Sequence, residues 1–498
     1  MPILYWNEVA LEANRESHTN GKKEQTGPTL SSRALAIVHL AMYDAYAGAS
    51  GYPPDLPAYL GVPAPLGAPL PDNVRAAAVA AAAHATLSKL FPSQKPFFDL
   101  RHAAAGLAGA GLKAGHDFGL LVAQKMLDDR KNDPDASDSG YASSMARDAH
   151  RPDPDNPDQG YHAPFYGAKS KGFAVTVRHG LLQPPPSGTP AYIRAFREVR
   201  GRGIKPELMG TVAANTRRTV DQTLIGTYWG YDGAAGLGTP PRLYNQIIRQ
   251  VALNTGNPAN PGNAVNTTAQ NARLFALVNT AMADAGILSW DQKYIWDFWR
   301  PVVGIREHDG SMGPTGIGNN NINNDCQPDW LPLGAPATNA SQMESGTSYP
   351  CVHSITTKAK NFTPPFPAYP SGHATFGAAA FHITRRFYNI AAADRNPDNL
   401  FQNLMFVSDE YNGVNKDNSG TVRPKHVRNF PGGLWQMIEE NGRSRVYLGV
   451  HWVFDAFAVD NNGNPDYAQN IGGVQLGVTI ANDIFDTNMM KSLVDPRP

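Results

Sequence analysis

Three stretches in the second half of the chain gather residues able to hold an anion and move a proton. The first, 290–301, places Lys293 seven residues before Arg300. On one continuous helix that spacing is about 700° of rotation, so the two cations would share a face. Cations so placed repel unless water solvates both or an anion lies between them, and the flanking Trp290, Trp296, Phe298 and Trp299 argue against a wholly solvated face. The second stretch is a proline-rich run that ends in Pro370-Ser371-Gly372-His373 and leads into an apolar helical pattern. The first N–H groups of a helix lack intrahelical partners and its dipole favours negative charge, so this start is a natural anion site. The plainer reading is a capping serine followed by a surface histidine. The third stretch holds Arg445, Gly449, His451 and Asp455. Asp455 lies four residues after His451 and is placed to fix its ring tautomer. Arg445 and His451 are six apart, about 600°, so either a break near Gly449 or the reach of the arginine must bring them together. Lys293, Arg300, Arg445, Ser371, Gly372, His373 and His451 would together form a cage suited to a tetrahedral oxyanion that passes through a five-coordinate state.

The elements that would carry this cage read as helices. Apolar residues recur at helical spacing over 33–48, 71–90, 112–130, 242–253, 268–286, 289–299, 371–388, 434–441 and 474–494. Clean alternation of the strand type is nearly absent. The expected fold is all-α: packed helix bundles, two four-helix-bundle-like halves, with long irregular loops. A stiff proline-rich break at 183–190 suggests an N-terminal half, 1–190, and a C-terminal half, 191–498, that carries the cage, although one compact unit fits the same pattern. The longest irregular stretches are 132–159 and 307–365, and loops of that length in a compact protein are usually functional or disordered. The run 460–466 has the look of a calcium loop, but Ile471 occupies the position where the twelfth, acidic ligand would stand, so it reads as a turn.

Composition narrows the function. Forty-three Lys and Arg balance forty-three Asp and Glu, which argues against a dedicated nucleic-acid binder. A composition of 42% hydrophobic and 17% charged residues can bury a large core. No apolar run is long enough to span a bilayer, so membrane insertion is not expected. The first residues show no basic region followed by an apolar one, and a soluble protein, cytoplasmic or exported by a non-classical route, is the expectation. Two cysteines, Cys326 and Cys351, exclude a disulfide framework; free thiols are favoured over a pair in one loop.

In order and spacing, Lys293-x6-Arg300-Pro301, Pro370-Ser371-Gly372-His373 and Ser444-Arg445-x3-Gly449-x-His451 resemble the three-part signature shared by vanadium-dependent haloperoxidases and type-2 acid phosphatases. The likeness to the fungal vanadium chloroperoxidase branch extends to 363–377, 331–339, Tyr228-Trp-Gly-Tyr-Asp232, 238–245, Trp6-Asn7 and 26–35, and so covers most of the chain. The resemblance implies vanadate as cofactor, with His451 as the metal ligand. It implies that Lys293, Arg300, Arg445, the Ser371 hydroxyl and the Gly372 N–H bind the vanadate oxygens, Lys293 and His373 being catalytic and His373 the acid–base residue. Asp232 would hold Arg445, and Asp455 would hold His451. Trp290 and Phe366 would line a halide pocket; algal bromoperoxidases usually carry histidine at the Phe366 position, so this chain sides with the chlorinating branch. The implied partners are hydrogen peroxide, a halide ion and an organic acceptor, and the implied reaction is oxidation of bromide and chloride to a hypohalous-acid equivalent. His373 would have to be neutral at rest, with nearby cations pushing its pKa down. Two other readings use the same cage: an acid phosphatase with His451 as nucleophile and His373 as general acid, and a non-catalytic oxyanion-binding protein. The matches around Asp232, Trp290 and Phe366 favour the haloperoxidase. The chain departs from the pattern after Thr338, where 339–361 looks like an insertion.

Overall fold

A computed structural model describes residues 1–109, 111–309, 325–336, 361–417 and 420–497. The helices of the first part are α1 (Pro2–Ser17), α2 (Gly27–Ala49), α3 (Asp72–Leu90), α4 (Lys95–Ala103), α5 (Leu112–Asp129), α6 (Tyr166–Lys169) and α7 (Pro190–Arg202). Those that follow are α8 (Val220–Tyr228), α9 (Pro240–Asn254), α10 (Thr268–Trp296), α11 (Pro301–Arg306), α12 (Gly372–Phe387), α13 (Gly433–Tyr447), α14 (Val453–Ala456) and α15 (Gly473–Asp486). Extended pairing is confined, among the described residues, to short antiparallel pieces such as Leu404–Phe406 with Arg428–Phe430. The fold is thus all-α, as the periodicity predicts.

Helix α10 organises the packing. It lies against α2, α12, α6 and α15, while α12 packs on α15, and α2 and α5 flank α3. Every residue of α10 from Leu274 to Lys293 is buried. A helix buried on all sides sits in the middle of a bundle, and here its buried residues include Asn279, Asp284 and Lys293. Its start is fixed by a reciprocal cap between Thr267 and Gln270. The break expected at 287–288 does not occur. Gly286 instead lets neighbouring helices approach: an added Cβ would lie 2.9 Å from Ser32 Oγ on α2 and 3.2 Å from the Phe376 ring on α12. One hydrophobic cluster runs from Ile3 to Met489 and draws on both expected halves.

Other boundaries differ from expectation. α13 continues to Tyr447, which places Ser444 and Arg445 inside the helix. α15 stops at Asp486 rather than 494, because Asn488 and Met489 take left-handed backbone angles and Met489 turns back into the core. α1, α4, α7 and α8 were not expected from periodicity. The 460–466 run is a turn in which Asp460 Oδ1 accepts the N–H groups of Asn462 and Asn464. Cys326 is buried near the Arg306 carbonyl. Cys351 and the expected insertion, apart from Asn361, lie outside the described residues. Among the described residues no helix is long and apolar enough to cross a membrane.

Candidate active site

The last turns of α10 carry Trp290 and Lys293, and the helix ends at Asp297 in a left-handed conformation, φ 47°. Arg300 then stands in extended backbone as the N-cap of α11. Lys293 and Arg300 therefore do not share a helix face: the helix stops between them, and the reversal at Asp297 brings the arginine back toward the lysine. Ser371 caps α12 and its hydroxyl accepts the Ala374 N–H, so Gly372 and His373 occupy the first turn. α13 ends just after Arg445, and Gly449 makes a left-handed turn, φ 74°, against Gly203, where a Cβ would sit 2.5 Å from the Gly203 carbonyl oxygen. Only glycine meets both demands. That turn carries the chain from Arg445 to His451, and α14 then supplies Asp455.

The hydrogen bonds assign protons. His451 Nδ1 lies 2.7 Å from Asp455 Oδ2, and its Nε2 lies 2.9 Å from Arg300 Nη1. A guanidinium only donates, so Nε2 holds the lone pair and Nδ1 carries the hydrogen given to Asp455. The Asp455 carbonyl also accepts the Ser371 N–H at 2.8 Å, which ties the second and third stretches together. His373 Nε2 donates to the Gly230 carbonyl at 2.8 Å, leaving Nδ1 as its basic nitrogen. Arg445 meets Asp232 through two bonds, of 3.1 and 2.6 Å. Lys293 Nζ donates to the carbonyls of Pro367, Ala368 and Pro370 at 2.7, 3.1 and 2.5 Å, an arrangement that requires the ammonium form. Arg300 Nη2 and Arg445 Nε are buried with no hydrogen-bond partner among the described residues.

A cavity of about 240 Å³ opens onto this cluster. Asp232, Trp290, Phe366, Gly372, His373, Arg445 and His451 line it, whereas Lys293, Arg300, Ser371 and Asp455 stand outside its lining. The Trp290 and Phe366 rings lie 4.8 Å apart, with Lys293 Nζ 5.1 Å and the Arg300 guanidinium 4.9 Å from the Phe366 ring centre. Part of the lining was not anticipated: His18, Gly27 and His162 come from the N-terminal part of the chain. His162 lies just past the irregular stretch 132–159, in the segment between α5 and α6, and no pattern in the sequence marked it.

Burial dominates the titration of the site. It holds Lys293 well below the usual lysine range, helped by Arg300 and Arg445, and it draws Arg300 down to about 9. Burial also keeps His451 well below the ordinary histidine value, with Arg300 and Lys293 adding to the effect. It pushes Asp455 up to about 7 against the pull of Lys293 and Arg300. His373 falls to about 4, again by burial first and Arg445 second, with Asp232 opposing. The neutral His373 expected from nearby cations is thus mainly an effect of desolvation.

Residues 2–159 match the family profile described as the vanadium chloroperoxidase N-terminal domain, and residues 273–469 match the second helical-bundle domain of the same family. The chain is 36% identical to the vanadium chloroperoxidase of Curvularia inaequalis in an alignment that covers all of this chain and 91% of that one. This chain belongs to the vanadium chloroperoxidase family. Solved structures share its fold. The first bacterial vanadium-dependent iodoperoxidase matches with a TM-score of 0.55 at 16% identity over 96% of this chain and 95% of that one. A holo-type bacterial vanadium-dependent chloroperoxidase matches with a TM-score of 0.57 at 15% identity over 95% and 96%. At 15–16% identity these likenesses show that the helical frame is shared.

Proposed function

We propose that this chain is a vanadate-dependent haloperoxidase that uses hydrogen peroxide to oxidise bromide and chloride to a hypohalous-acid equivalent, which halogenates organic acceptors. The observation that carries this reading is His451 Nε2: a lone-pair nitrogen, fixed by Asp455, among three buried cations of which two keep an N–H without a partner. Buried positive charge and unpaired donors are costly by themselves and are offset by an oxyanion. The residues therefore fit vanadate. His451 Nε2 would hold the metal centre, and Arg300 Nη2, Arg445 Nε, the Ser371 hydroxyl and the Gly372 N–H would hold its oxygens. Lys293, whose donors are taken by carbonyls, would contribute charge from beside Phe366. Bound vanadate supplies Lewis acidity that makes peroxide reactive toward a halide without a change in the metal's oxidation state.

The chain's own part is proton handling and exclusion. His373 Nδ1 takes a proton from incoming hydrogen peroxide, a role that requires the neutral ring that burial provides. The Gly230 carbonyl keeps the basic nitrogen at Nδ1 by holding Nε2. The aromatic wall of Trp290 and Phe366 offers a weakly solvated place for a halide beside the cations. The test is the bleaching of monochlorodimedone by the purified protein with bromide or chloride. Bleaching is expected only when vanadate, peroxide and halide are all present, and its absence from the vanadate-loaded protein with both halides overturns the reading.

A further inference from the structure

His162 lines the cavity, yet none of the roles above uses it. Its backbone is held on both sides. The N–H donates to the Pro365 carbonyl at 2.8 Å, and its own carbonyl accepts from the Tyr294 hydroxyl at 2.9 Å and Trp290 Nε1 at 3.2 Å. The ring packs against Trp290 and Phe366, with centroid separations of 6.0 and 6.1 Å. Gly27, at φ 78°, makes room for it: a Cβ there would lie 2.3 Å from His162 Cε1.

The remaining contact fixes the tautomer. His162 Nε2 lies 3.1 Å from the hydroxyl of Thr29, a fully buried residue, and that hydroxyl has no other hydrogen-bond partner among the described residues. The hydroxyl has one proton to place. If Nε2 were the donor, that proton would be buried without an acceptor, so Thr29 donates to Nε2. The imidazole hydrogen then sits on Nδ1, for which the described residues offer no acceptor. Burial holds the ring neutral, its pKa down at about 4. The result is a neutral N–H donor beside two aromatic rings, with Lys293 Nζ 5.1 Å and the Arg300 guanidinium 4.9 Å from the Phe366 ring centre. Such a place suits a small monovalent anion; it lacks the multiple donors that a multiply charged oxyanion needs.

We infer that His162 is a halide-positioning residue whose Nδ1–H holds the halide ion against Trp290 and Phe366, apart from the oxyanion cage. The inference rests on the haloperoxidase reading for its meaning, but its test does not need turnover. The probe is bromide, observed by the broadening of its nuclear magnetic resonance line in vanadate-free protein. His162→Phe keeps an aromatic ring and removes the donor, His162→Gln restores an N–H, and Thr29→Val frees the tautomer. Protein-dependent broadening is expected to fall about fivefold or more in His162→Phe, to return in part in His162→Gln, and to fall about twofold in Thr29→Val. In vanadate-loaded protein the KM for bromide should rise about tenfold in His162→Phe while the KM for peroxide and the affinity for vanadate stay unchanged. Equal broadening in wild type and His162→Phe, or no broadening by wild type, overturns the inference. If His162→Phe does not fold, equal broadening in wild type and Thr29→Val does the same. Bromide broadening that depends on His162, in a protein without halide oxidation, leaves this inference standing and removes the haloperoxidase reading.

Discussion

Arg445 turns both terminal nitrogens onto the carboxylate of Asp232, which reaches it from 213 residues earlier in the chain. The pairing leaves Arg445 Nε buried and unpartnered. Asp232→Ala is expected to weaken vanadate binding by about tenfold, the scale on which lost orienting partners act. The loss stays modest because removing a negative charge favours the anion while misplacing the guanidinium disfavours it. Ultrafiltration with vanadate measures this, and unchanged affinity would mean that something else holds the arginine.

His451→Ala should abolish stable vanadate loading and all halide oxidation, since it removes the one lone-pair nitrogen that Asp455 and Arg300 fix in place. Equilibrium dialysis of the variant at wild-type affinity would show that the ligand assignment is wrong.

His373→Ala should keep most vanadate binding and lose about 10² to 10⁴ in turnover, the usual contribution of a positioned acid–base group. Steady-state rates within about threefold of wild type would remove His373 from the chemistry.

Inorganic phosphate should compete with vanadate, because the cage reads charge and donor geometry. The vanadate-free protein should also hydrolyse p-nitrophenyl phosphate slowly, with His451 and His373 as nucleophile and acid. The aromatic wall is poorly shaped to orient the leaving group, so turnover should be low. Phosphate that fails to slow reconstitution at high millimolar concentration counts against a shared cage.

Acid should destabilise the vanadate-free protein. His18, His39, His162 and His373 sit at about 4 in the fold and His382 at about 3, below the ordinary 6.5, chiefly through burial. Between those values the unfolded chain binds more protons, so the stability these residues contribute is complete above pH 6.5 and is lost as pH falls toward 4, at about 1.4 kcal/mol per pH unit for each. Asp44 and Asp297, at about 6, and Asp455, at about 7, oppose this, since stability from a raised carboxylate is lost as pH rises. The histidines outnumber them, and Tm measured by calorimetry is expected to fall from pH 6.5 to 4. A flat profile would mean that these rings are solvated.

The backbone geometry around the expected cage was largely legible because it is local. Ser371 at a helix start, Asp455 one turn after His451 and the break at Gly449 are short-range statements about backbone geometry. The relation of Lys293 to Arg300 was not legible, because periodicity carries no sign of the left-handed stop at Asp297. α10 read as two helices, 268–286 and 289–299, because periodicity carries no sign that Gly286 is there to admit the neighbouring Phe376 and Ser32. His162 was invisible for the same reason: its partners Thr29, Trp290 and Pro365 lie more than a hundred residues away in either direction.

The cavity wall draws on residues from His18 to His451. During synthesis, therefore, the early helices must leave one side of the chamber open until nearly the whole polypeptide has emerged. On the proposed assignment an N-terminal fragment would not capture the oxyanion, and uptake of vanadate by a nascent or refolding chain would mark completion of the entire molecule rather than of one lobe.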